Sequence, residues 1–167
     1  MGKADKTNVM RTLERLRVPY REHDYSSTGA VSGVDVAAAL GEDPAHAFKT
    51  LVTVGKSKNH YVFMIPVAEE LDLKKAAAAV GEKALEMLKS KDLLPLTGYV
   101  HGGCSPIGMK KAFRTLIHQT AEGYDTILFS AGKIGFQVEC SLAGLRQALP
   151  VESADLIVDP THGKEDQ

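Results

Sequence analysis

The sequence predicts an α+β fold, a mixed and curved β-sheet with helices packed outside it. Three observations carry that prediction. About seven short apolar runs rich in β-branched residues read as strands, and several are joined by turns short enough for hairpins. Roughly four helical segments lie among them. The two kinds of element do not alternate in the regular strand–helix rhythm of a doubly wound parallel sheet.

Thr7 can cap a helix in which Val9, Leu13 and Leu16 recur at helical spacing, and Pro19 is expected to end it. Residues 20–25 read as a short strand, 26–33 as a loop rich in serine, threonine and glycine, and 34–40 as a short helix closed by Gly41. Two β-rich runs follow, 48–54 and 61–67, and the polar turn between them makes a hairpin. An alanine-rich helix over 71–80 stops at Gly81. A strand over 112–119 leads into a second strand pair, 126–130 and 134–139, joined by a glycine-rich turn. A helix over 142–149 ends at Pro150, and 155–158 is expected as a last edge strand. The ends, 1–5 and 161–167, are polar and expected to be mobile.

A chain of 167 residues with 44% apolar content can bury a substantial core and lies near the usual domain size, so 1–167 reads as one domain. The start is short and polar, without the apolar run of a signal peptide or membrane span, which makes the cytoplasm the expected location. Cys104 and Cys140 are too few for a disulfide framework and form no Cys-x-x-Cys pair, so reduced thiols are expected. With 20 basic against 21 acidic residues, avid sequence-blind binding to a polyanion such as DNA is not expected. A nucleic-acid partner would need a local basic face. Lys49, Lys74, Lys75, Lys110, Lys111, Arg114 and Lys133 can supply one if the fold gathers them.

Three segments carry the functional signal. Residues 96–108 read Leu-Thr-Gly-Tyr-Val-His-Gly-Gly-Cys-Ser-Pro-Ile-Gly, with Gly98, Gly102, Gly103 and Gly108 around Pro106. So much glycine lets a backbone reach positive φ and approach another group closely, which makes this loop a candidate wall of a binding site. Gly102 and Gly103 together are expected to aim two backbone N–H groups at a carbonyl oxygen as it gains charge. The second segment, Phe48-Lys49-Thr50-Leu51-Val52, sets a lysine in an apolar strand. Alternation puts Phe48, Thr50, Val52 and Val54 on one face and Lys49, Leu51 and Thr53 on the other. A compact ammonium suits a phosphate or ribose oxygen, or the charge growing on an ester oxygen. A lysine reaching for water at a sheet end is the plainer alternative. The third segment is the tight turn Ser130-Ala131-Gly132-Lys133-Ile134-Gly135.

Together with Thr7-Asn8 and Leu71-Asp72-Leu73-Lys74-Lys75-Ala76-Ala77, these segments resemble the YbaK family of aminoacyl-tRNA deacylases over nearly the whole chain. The resemblance implies a barrel-like mixed β core flanked by helices. It also implies deacylation of misacylated Cys-tRNA(Pro), with prolyl-tRNA synthetase as a partner and no cofactor. By the same resemblance, Lys49 and Gly102 act at the ester, while Tyr25, Thr50, Gly98, Gly103 and Ser130 bind substrate. Thr50 enters on resemblance alone, because it should face away from Lys49 in a regular strand. The implied reaction is substrate-assisted: the cysteine thiol attacks its own ester, a step favoured by an effective concentration of ~10⁵ M or more. A deacylase for alanyl-tRNA(Pro), in which water must attack, and a non-catalytic tRNA- or nucleotide-binding module are the alternatives.

Two departures from the family pattern are visible. Ala131 stands where members often have glycine, which predicts a slightly reshaped turn. Residues 26–33 hold no aromatic where many members carry one, which predicts an altered wall beside the amino acid. Cys104 and His101 match no Cys-His hydrolase signature, so Cys104 and Cys140 read as small buried thiols. The histidines at 23, 46, 60, 101, 118 and 162 show no metal-site spacing and read as structural or surface groups.

Overall fold

The computed structural model describes residues 6–159. The expectations for 1–5 and 161–167 lie outside the described residues.

Helix α1 (Asn8–Arg15) starts where the Thr7 side chain accepts a hydrogen bond from the Met10 N–H, and it buries Val9, Met10 and Leu13. It ends before Pro19, not at it. Arg17 takes a φ of 59°, its N–H donates to the Glu14 carbonyl at 3.0 Å, and the Val18 N–H donates to the Leu13 carbonyl at 2.9 Å. This paired closure lays Val18 with Leu13 in one core cluster, so the chain has turned before the proline is reached.

Strand β1 (Arg21–Asp24) follows. Helix α2 (Gly33–Leu40) is capped by Ser32, which accepts from the Asp35 N–H, and it closes at Gly41 with φ 69°. Strands β2 (Phe48–Gly55) and β3 (His60–Pro66) form the expected hairpin, with Lys49 opposite Ile65. Helix α3 (Leu73–Val80) starts on the Asp72 carboxylate and stops at Gly81.

The stretch from 82 to 95, to which the sequence assigned nothing, holds strand β4 (Leu85–Met87) and most of helix α4 (Ser90–Thr97), whose last two residues begin the segment read as a glycine-rich loop. A three-residue strand has no periodicity to read, and Pro95 inside α4 argues against a helix by sequence rules. Strands β5 (Arg114–His118), β6 (Ile127–Ser130) and β7 (Phe136–Cys140) come next, then helix α5 (Leu142–Ala148) and strand β8 (Val151–Ala154).

The last strand therefore lies at 151–154 rather than at the expected 155–158. Val151, directly after Pro150, enters the main core and fixes the register, with Val151 beside Thr115. The later segment contributes a single bridge from Ile157 to Leu71.

Five strands run in the order β4-β2-β3-β5-β8, with antiparallel pairs around β2 and parallel pairs flanking β5. Three more form an antiparallel sheet, β1-β7-β6. The α+β class holds, but the sheet is not a closed barrel. The two sheets meet through one parallel bridge, Ala47 to Leu128, and no ladder joins β2 to β6 beyond it among the described residues. Phe48, Met64, Ile117 and Phe129 fill the space between the sheets as part of the main core. Among the described residues no helix is long and apolar enough to cross a membrane.

Arg17 holds a left-handed conformation that costs an L-residue roughly 1–2 kcal/mol. Arg17→Gly relieves it against the greater freedom of glycine in the unfolded chain, for a net gain of ~0.5 kcal/mol. The measurement is the urea midpoint, which should rise; a fall would show that the arginine side chain contributes more than its backbone costs.

Candidate functional site

A cavity of about 820 Å³ opens where β2 leaves β6. Its size lies within the roughly 300–1,000 Å³ typical of ligand sites. Strand β4 pairs with β2 over Thr53–Gly55, and the Leu88 N–H donates to the Val52 carbonyl at 3.0 Å. Residues 48–52 of β2 therefore meet the cavity along a strand edge. That edge explains why Lys49 and Thr50, which alternate across the strand, both line one cavity: an open edge presents both faces.

Of the residues singled out from the sequence, the fold brings Tyr25, Lys49, Thr50, Gly102 and Ser130 to this cavity. Gly98 and Gly103 are not among its lining. Gly98 closes α4 at φ 87° and donates its N–H to the Leu94 carbonyl at 2.9 Å, so helix termination accounts for it. Gly103 is buried against the turn after β6, where a Cβ would stand 3.2 Å from the Ile134 amide nitrogen. Its N–H donates to the Val100 carbonyl at 3.0 Å. Of the expected pair of amides, the Gly103 N–H is therefore taken up by the backbone, while Gly102 lines the cavity at φ 89°.

In the turn itself the positive φ values fall on Gly132 and Gly135, so neither lies on Ala131, which is buried in the main core. Ser130 Oγ accepts from the Gly132 N–H at 3.0 Å, which leaves the hydroxyl proton free to be donated. The Tyr25 N–H donates to the Gly135 carbonyl at 2.8 Å, fixing the tyrosine at the cavity wall. Past Tyr25, where an aromatic is missing, Val31 and Val36 supply apolar lining.

Two polar atoms give the site its chemical character. Thr50 Oγ1 and Gln137 Oε1 are buried side-chain atoms with no hydrogen-bond partner, and both residues line the cavity. Leaving such an atom unpaired costs about 1–3 kcal/mol, a penalty that a bound polar group would remove. Gln137 escaped the sequence reading. It lies opposite Ser130 in the β6–β7 ladder, and only strand pairing puts the two together. Its one sequence signal is a neutral polar residue within Phe136–Cys140, a strand buried along its whole length.

Lys49 is half-buried, and burial lowers its ammonium below the ordinary 10.5 against the opposing influence of Glu70 and then Glu69. Cys104 also lines the cavity, but burial pushes its thiol up to about 12. A thiol held protonated is a poor nucleophile at neutral pH.

Of the expected basic face, Lys75 is bound to Asp155 at 2.9 Å and to the Ile157 carbonyl at 2.8 Å. Arg114 is paired with Glu152 through two bonds of 2.7 and 2.9 Å. Lys133 lies 5.3 Å from the centre of the Phe136 ring.

The model of a protein family described as the aminoacyl-tRNA editing domain matches residues 29–148. The chain belongs to this family. The matched span of the editing domain contains Lys49, Thr50, Gly102, Ser130 and Gln137, while Tyr25 precedes it. A protein of Enterococcus faecalis (strain ATCC 700802 / V583), named "Putative Cys-tRNA(Pro)/Cys-tRNA(Cys) deacylase EbsC", is 50% identical over 135 residues, covering 80% of this chain and 82% of that one. Two crystallised proteins share the fold. One, described as hypothetical protein APE2540, superposes with a TM-score of 0.82 at 18% identity, covering 91% of this chain and all of that one. The other, described as "a putative trans-editing enzyme for prolyl tRNA synthetase", gives 0.77 at 24% identity over 92% of this chain and 99% of its own.

Thr50→Val removes the unpaired hydroxyl at nearly constant volume, so unfolding free energy should be unchanged or raised by ~1 kcal/mol. Thermal and urea denaturation check this. A clear loss of stability would mean that the hydroxyl is satisfied in the folded protein.

Proposed function

We propose that this editing domain deacylates misacylated Cys-tRNA(Pro) in trans, and that the substrate supplies its own nucleophile. The observation that carries this reading is the composition of the cavity. It presents a half-buried ammonium and two unpaired polar atoms, while its own thiol is kept protonated. Such a site is suited to folding a reactive ester and stabilising charge, and poorly suited to attacking it. Family membership and the printed name of the Enterococcus relative support the same chemistry.

In this reading the sulfur of the esterified cysteine attacks the carbonyl carbon of its own ester. The carbon–oxygen bond to the terminal ribose breaks, the thiol proton passes to the departing ribose oxygen, and a cyclic thiolactone and free tRNA result. Lys49 and the backbone at Gly102 face the charge that grows on the carbonyl oxygen. Thr50, Ser130 and Gln137 hold the amino acid's polar groups, and Tyr25 meets the terminal adenosine. Serine on the same tRNA reacts poorly, because its hydroxyl is a weaker nucleophile at neutral pH.

A formal charge of −1 supplies little general attraction for tRNA, so prolyl-tRNA synthetase is proposed as the partner that presents it, in the cytoplasm. One domain is enough for the reaction.

Product analysis is the deciding experiment: purified protein should release thiolactone from cysteinyl-tRNA(Pro) and little from alanyl-tRNA(Pro). Release of free cysteine without thiolactone, or faster cleavage of the alanyl ester, would assign the attack to water. Lys49→Ala should lower the rate by ~10²-fold or more, on the scale of removing one charge-stabilising donor.

The enzyme-dependent rate should also carry a descending alkaline limb, because the active form is the ammonium and burial sets its pKa below 10.5. Glu70 raises that pKa, so Glu70→Gln should move the limb to lower pH. A limb that stays in place, or shifts upward, would separate the Lys49 charge from the reaction.

A further inference from the structure

A second cluster of polar side chains lies outside the cavity lining, on the same face of the three-stranded sheet as Gln137. His23 lies opposite Gln137 in the β1–β7 ladder, and Glu139 is two residues further along β7. Glu42 joins them from the turn that follows α2. His23 Nε2 and Glu139 Oε1 are 2.8 Å apart, and one ligand atom from each of the three residues lies within 4.8 Å of the others.

The carboxylates are already oriented from behind. Thr126 Oγ1 donates to Glu139 Oε2. His46 Nε2 lies 3.0 Å from Glu42 Oε1, and His46 Nδ1 lies 3.2 Å from the Thr126 carbonyl oxygen. Outer partners of this kind are what hold metal ligands in place.

We propose that His23, Glu42 and Glu139 form a binding site for a divalent first-row metal ion of the zinc class. The donor set is one imidazole nitrogen and two carboxylates, which suits zinc, manganese or iron(II) better than the all-oxygen cages of calcium and magnesium. Burial supplies the driving force. The Glu139 and Glu42 side chains are 9% and 25% exposed, and the imidazoles paired with them, His23 and His46, carry charge only when protonated. A divalent ion offsets both carboxylates at once.

Ligand atoms ~2.0–2.2 Å from a tetrahedral zinc stand roughly 3.4 Å apart, so the His23–Glu139 contact of 2.8 Å would open by under ~1 Å, and separations up to the 4.8 Å limit would close by under ~1.5 Å. Three protein ligands leave a fourth position for water. The three residues are too far apart in the chain for spacing to have suggested the site.

Such an ion would bind β1 and β7 to the C-terminal end of α2, the helix whose first turn lines the editing cavity. It stabilises a wall and takes no part in the ester chemistry, so this site stands or falls independently of the proposed reaction.

The test uses the full chain, free of any histidine tag and stripped with a chelator, titrated with cobalt(II) and zinc(II). The expected results are visible d–d bands that saturate at a single equivalent, and a melting temperature that rises with zinc concentration. Affinity should fall by tenfold or more in His23→Gln and in Glu139→Gln, and remain unchanged in the control His101→Gln. Should a variant fail to fold, cobalt-induced paramagnetic shifts of the His23 ring protons in the parent protein decide the matter. Absence of saturable binding, binding that survives both variants, or paramagnetic shifts confined to other histidines would each overturn the site.

Discussion

One backbone bridge, between Ala47 and Leu128, governs the architecture of the site. Because, among the described residues, the two sheets join at this single pair, β2 and β6 separate beyond it, and core side chains pack between them. A strand edge inside a folded protein ordinarily finds a partner strand, since unpaired backbone groups are costly away from water. Here the edge of β2 between the bridge and β4 borders a cavity instead. Lys49 and Thr50 owe their joint presence in the site to that opening.

Glycine has a different task here from the one its abundance suggests. The turn after β6 is a docking point for three other segments, and each contact needs a missing side chain. A Cβ on Gly132 would stand 3.0 Å from Tyr99 Cε1 and 3.2 Å from Val9 Cγ2, and one on Gly135 would stand 2.9 Å from Ser26 Cβ. Gly103 meets the same turn at Ile134 and Lys133. Close packing of loop on loop thus accounts for most of the glycine signal. The outcome is a closely packed rim around Ser130 and Gly102.

The cavity's polarity and the protein's stability pull in opposite directions. Unpaired atoms at Thr50 and Gln137 and a lysine with lowered pKa all make the empty site less stable than an apolar one would be. An editing site gains from this arrangement, because a substrate that satisfies those groups is favoured over one that leaves them stranded. The protonated Cys104 fits the same logic as apolar lining: its sulfur fills space in a cluster with Val52 and Val62.

Local rules settled much of this protein in advance. Thr7, Gly41 and Gly81 mark helix ends through backbone chemistry confined to a turn, and both hairpins follow from β-branched runs with short polar or glycine-rich links. The motifs around Lys49, Gly102 and Ser130 also pointed to the family. Where local cues were weak or misleading, tertiary packing decided: β4 and α4 exist because β2 and the cavity wall need cover, and β8 starts at Val151 because the core accepts that side chain. The place of Gln137, the loss of Gly98 and Gly103 from the cavity and the gathering of His23, Glu42 and Glu139 were likewise beyond the sequence. Each depends on which strand lies beside which and on what a neighbouring backbone already bonds, and such pairings join residues that the linear chain keeps far apart.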